Sequence, residues 1–129
     1  MREAEWLDGW QYTMIYSQSG LVEEGAVFTT PGDGESDTVW VVTKHDTVNF
    51  KVEFTRFTYP SRTCVLKVGV RPRDGSSSYV DIAYTYTGIS PAGNQFIDEL
   101  TDDIFRADMS HWEDSVNHFL RTGKKLKPA

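Results

Sequence analysis

Three polar side chains near the end of the chain, His111, Asp114 and His118, stand at spacings of three and four. On a helix those steps bring them to one face, where two imidazoles and a carboxylate could ligate a divalent metal. The set lacks a fourth ligand and a supporting shell, and it points about 150° away from the apolar stripe of the same segment. A surface ion pair is therefore expected, and no metal. Cys64 is the single cysteine, which excludes an internal disulfide and a thiolate cluster. It alternates with Leu66, Val68 and Val70, the pattern of a buried structural thiol rather than a nucleophile. Ser76-Ser77-Ser78 reads as a solvated loop. The chain contains no Gly-x-Ser-x-Gly, no phosphate-cradling glycine loop and no His-Glu-x-x-His. No catalytic residue is nominated.

The stronger chemical signal is aromatic. Four tryptophans, six tyrosines and seven phenylalanines fall in 129 residues. Tyr and Trp join a large apolar body to a polar tip, which suits either a core or a site that orients a ligand. By themselves these residues describe a core.

The elements that must carry them are strands followed by a helix. Gln11 to Tyr16, Glu24 to Thr30 and Asp37 to Lys44 read as the first three strands, and apolar residues on both faces of the third place it centrally. Val48, Phe50, Val52 and Phe54 share one face of a fourth. Thr63 to Arg71 and Tyr79 to Thr87 complete a set of six, joined by turns such as 31–36 and Pro72-Arg73-Asp74-Gly75. Short connections imply an antiparallel meander. A helix is expected from about Pro91 to Thr122, opened by Ser90-Pro91 and closed by Gly123. Unbroken, it would run roughly 45 Å. Its apolar residues change direction by over about 90° between Phe96-Leu100-Ile104 and Phe105-Met109-Trp112-Val116-Phe119, so either it bends near Thr101-Asp102-Asp103, itself a helix-start pattern, or its two halves touch different parts of the domain.

The net charge of −6 argues against a general nucleic-acid binder, and Arg121, Lys124, Lys125 and Lys127 suit a helix C-terminus. No apolar run is long enough for a membrane span, and Met1 to Glu5 lacks a signal-peptide core. A cytoplasmic setting is expected.

The segment Ser19 to Thr30, the run Val39-Trp40-Val41-Val42 with Asp46, the stretch Tyr84 to Ser90 and the end Trp112-Glu113 with Asn117-His118-Phe119-Leu120 together resemble the START-like (SRPBCC) superfamily, on its polyketide-cyclase or aromatase-like side. The resemblance covers roughly residues 10 to 122. It implies an α+β helix-grip fold, a curved antiparallel sheet around one long C-terminal helix, with a cavity between them for an apolar or aromatic small molecule. Residues 1–129 would form a single domain, with 1–10 the remnant of a usual first strand and short helices, and 123–129 a basic tail. On this view the aromatic residues line a partial cavity: Tyr12, Phe28, Trp40, Phe54, Tyr84 and Tyr86 from the strands, and Met109 and Trp112 from the helix. Arg56 joins them as an ion-pair anchor. The expected function is binding of a small hydrophobic or aromatic ligand without identified catalysis or cofactor. A cyclase or aromatase-like enzyme, with Arg56 or tyrosines polarising carbonyls, is the first alternative. A protein-interaction role like that of activators of heat-shock-chaperone ATPases is the second. The missing strand implies an open sheet edge, placed at Gln11 to Tyr16, and a homodimer through it.

Overall fold

A computed structural model describes residues 3–32 and 34–127, with only the backbone described at Ala4 and Trp6. The Trp6 ring of the opening segment, Asp33 of the 31–36 turn, and residues 1–2 and 128–129 lie outside that description. The architecture is α+β. Six strands precede two helices of more than one turn, and a four-residue helix α1 (Glu3–Trp6) comes first. The strands are β1 (Thr13–Tyr16), β2 (Val27–Thr30), β3 (Thr38–Asp46), β4 (Lys51–Thr58), β5 (Arg62–Pro72) and β6 (Ser78–Gly88), and they lie in that order in one antiparallel sheet. The helices are α2 (Pro91–Glu99) and α3 (Asp102–Thr122). None of these helices is long and apolar enough to cross a membrane.

The chain divides into two compact units: residues 12–97, and residues 1–11 with 98–129. In the first, β-branched and aromatic residues alternate so that one sheet face is apolar. Cross-strand register carries one row of side chains over all six strands, through Met14, Phe28, Trp40, Arg56, Cys64 and Tyr86. The next row runs Val42, Phe54, Leu66, Tyr84. Phe28, Val42 and Cys64 are at most 1% exposed, and Trp40 and Leu66 are nearly as deep. The other face holds threonines, lysines and valines, among them Thr55, Thr63, Val65, Lys67 and Thr85.

The fourth strand starts later than its alternation predicts. Val48 and Phe50 lie in a turn and are exposed. The Asp46 carboxylate accepts from the backbone N–H of Val48 and Asn49 and from Asn49 Nδ2, at 2.8–3.1 Å, which closes the turn before the strand begins. Phe50 adopts φ 55, off the strand path.

Helix α2 opens as Ser90-Pro91 predicts, with Ser90 Oγ accepting from Gly93 N at 3.1 Å. Gly93 is buried against the β4–β5 turn, and a methyl there would collide with the Ser61 carbonyl oxygen. Only glycine allows this approach. Phe96 packs near Tyr86, under the Arg62 guanidinium 3.5 Å above its ring.

The single long helix expected from Pro91 to Thr122 is two helices. Leu100 and Thr101 separate them, and Thr101 Oγ1 accepts from Ile104 N to cap α3. Asp102 and Asp103 sit in its first turn, where carboxylates favour the dipole. At the other end Gly123 takes φ 71 and donates its N–H to Phe119 O at 2.7 Å. Phe105, Met109, Trp112, Val116 and Phe119 are half-buried, and Ser115 is the fully buried residue among them. In the same unit α1 packs against α3, Leu7 is buried, and Asp8 meets Lys127 at 3.9 Å.

Candidate functional site

Strand pairing assembles the aromatic residues that sequence reasoning nominated. Phe28 on β2 stacks on Trp40 of β3, centroids 5.4 Å apart and planes 14° from parallel. Phe54 of β4 meets both edge-on, at 6.3 and 5.7 Å, and Tyr12, just before β1, meets Phe28 edge-on at 6.2 Å. Offset and edge-on contacts align the positive ring edges with the negative faces. Tyr84 and Tyr86 stand two residues apart on β6, so they share a face and stack at 6.0 Å. The seven nominated residues from the sheet unit therefore lie together. Met109 and Trp112 belong to α3, in the other unit, both half-buried.

Arg56 lies between the two aromatic groups. It sits inside β4, half-buried, opposite Trp40 on one side and Cys64 on the other. Its guanidinium carbon is 5.0 Å from the Trp40 ring, 5.3 Å from Tyr84 and 5.6 Å from Tyr86. Nη2 donates to Tyr86 Oη at 2.7 Å. No carboxylate of a described residue forms an ion pair with it. By contrast, Arg62 on the next strand forms two bonds to Glu35, at 3.0 and 3.2 Å.

Two neighbours feel that cation. Burial pushes the Tyr86 phenol above its ordinary value, with Arg56 pulling the other way. Burial likewise pushes the Cys64 thiol up against the same opposing charge. Tyr86 is accordingly a neutral phenol at pH 7, able to donate one hydrogen bond while accepting from Arg56. Cys64 fits the structural thiol that its alternation predicts. Its place between Arg56 and Tyr86 depends on the pairing of β4, β5 and β6, which no local pattern reveals.

A shallow depression of about 490 Å³ shares none of the nominated residues. It is lined mainly from the opposite sheet face by Lys44, Lys51, Glu53, Lys67 and Asp81 around Gly69. Lys67 pairs with Glu53 at 3.7 Å, and Asp81 with Arg71 at 2.7 Å. Its charged groups are joined by Val52, Val68, Ile82 and Ala83, which add apolar surface to the lining.

On α3, His111 and Asp114 are exposed, whereas His118 is half-buried, one turn from Ser115. The expectation of a fully solvent-facing trio thus holds for two of its members. Among the described residues no group of three or more His, Cys, Asp or Glu is placed to hold a metal.

No family model, no curated protein and no solved structure matches the chain, so the START-like resemblance rests on the residues that carry it.

Proposed function

We propose that the aromatic sheet face binds a small apolar or aromatic molecule, and that the protein works as a ligand-binding module of START-like type. The observation that carries this reading is the setting of Arg56, a half-buried cation among Trp40, Tyr84 and Tyr86. A face built only to be covered is apolar and gains little from a cation. Placing an arginine at its centre costs desolvation, which a bound molecule can offset. The order of six strands followed by helices supports the START-like part. We propose in addition that copies of the chain associate through an open sheet edge.

Native mass spectrometry of the purified protein tests the ligand reading. A bound mass that is retained under gentle conditions and lost on denaturation is expected. A bare-chain mass, with no change in tryptophan fluorescence on titration with planar aromatic compounds, would rule it out.

A further inference from the structure

We infer that the molecule held on this face carries a carboxylate, bound by the Arg56 guanidinium together with the Tyr86 hydroxyl. The inference rests on the ligand-binding reading and adds the ligand's charge and the atoms that recognise it.

The argument starts from unfilled bonding capacity. A guanidinium is a planar fork of N–H donors that remains charged in proteins. At Arg56 the hydrogen bond within the described chain runs from Nη2 to Tyr86 Oη, and the Cys64 thiol, a weak acceptor, is its other polar neighbour. The three rings stabilise the charge through their faces but accept no strong hydrogen bond. Half-buried cations elsewhere in the sheet are treated differently, since Arg62 has the forked Glu35 carboxylate. The ionisable groups that act on Tyr86 are Arg56, Arg62 and Cys64, with no carboxylate among them. Among the described residues, no carboxylate forms an ion pair with the cation on this part of the face.

A planar carboxylate matches that vacancy in geometry as well as charge. Two parallel N–H···O bonds use the fork, and Arg is favoured over Lys wherever such two-point recognition is needed. Tyr86, neutral and already accepting from Arg56, keeps its O–H to donate to the same group. An apolar or aromatic body joined to the carboxylate would lie along Trp40 and Tyr84, whose rings flank the guanidinium, and toward Phe54, which meets Trp40 edge-on. The lysines of the opposite-face depression can also attract an anion, but they offer neither the rings nor the fork.

Calorimetric titration of the full chain with 2-naphthoate and with its neutral isostere 2-naphthamide decides the matter. The acid should bind at least about tenfold tighter than the amide, as a charge-assisted bond pair predicts. Arg56→Gln should abolish the preference, and Arg56→Lys should restore part of it. Equal binding of the two compounds by the unaltered protein would overturn the carboxylate inference and leave the ligand reading standing. A preference that survives Arg56→Gln would overturn it too, and would move the anion to the lysine depression. No binding of either compound at about 1 mM would overturn both readings. If Arg56→Gln fails to give the native circular dichroism spectrum, the acid–amide comparison on the unaltered protein is decisive alone.

Discussion

Cys64 and Tyr86 show how a residue's surroundings can be invisible in its local sequence. Alternation marks both as facing one side of a strand, and that much was legible. Their neighbour Arg56 is 8 positions from Cys64 and 30 from Tyr86, and only the register of β4, β5 and β6 brings the three together. A one-residue slip would have sent Arg56 to the opposite face. The same trio predicts a pH response. Burial raises both acids, so each ionises less readily folded than unfolded. Between the unfolded and native pKa values the unfolded chain has lost a proton that the native chain keeps, and stability falls as pH rises. The contribution is complete below the ordinary thiol value of 9.0 and declines above it. Urea midpoints measured from about pH 8 to about pH 11 should therefore fall, and Cys64→Ala should flatten the first part of that fall. An identical slope in the variant would show that the thiol is not held neutral by burial.

At the scale of elements, the sequence was most legible where chemistry punctuates the chain. Ser90-Pro91, Thr101-Asp102-Asp103 and Gly123 mark helix ends, and all three do so here. The change in stripe direction near residue 101 was already visible, and its physical form is a break with a new cap rather than a bend. Period-two alternation was less reliable. Val48 and Phe50 continue the pattern of Val52 and Phe54, yet Asp46 turns the backbone before the strand starts. Alternation reports which faces are apolar but not where pairing begins. Two substitutions separate the kinds of support that the helices receive. Thr101→Ala removes the acceptor for Ile104 N, and chemical denaturation should show a loss of about 1 kcal/mol, mostly recovered by Thr101→Ser. Gly93→Ala leaves the helical hydrogen bonds alone but drives a methyl into Ser61, so about 1–3 kcal/mol is expected from overpacking. A neutral Gly93→Ala would mean that α2 does not pack on the β4–β5 turn as described.

For the molecule as a whole, connection lengths correctly implied a meander, and a meander that stays open has two end strands. The START-like resemblance placed the free edge at Gln11 to Tyr16. The sheet ends at β1 on one side and β6 on the other, and the two differ as templates. Strand β1 has four residues and an irregular register between Met14 and Tyr16, which weakens it for pairing. Strand β6 has eleven residues, an unshifted register with β5, and a single charged residue, Asp81. The bonds Ile89 N to Ser61 O and Arg73 N to Ser77 O fix the alternation, so odd-numbered residues of β6 bond toward β5 and even-numbered N–H groups point away. Two copies can pair antiparallel along that side without placing Asp81 opposite itself. The charge of −6 opposes association only within about 10 Å at 0.1 M salt. Sedimentation equilibrium at about 50–100 μM should therefore show a dimer. Ile82→Pro, which removes an outward N–H and no bond to β5, should return it to a single chain with the sheet intact. Thr13→Pro on the opposite edge should leave the dimer unchanged. A single-chain mass for the unaltered protein would sink edge pairing, and dissociation by Thr13→Pro alone would move the contact back to β1.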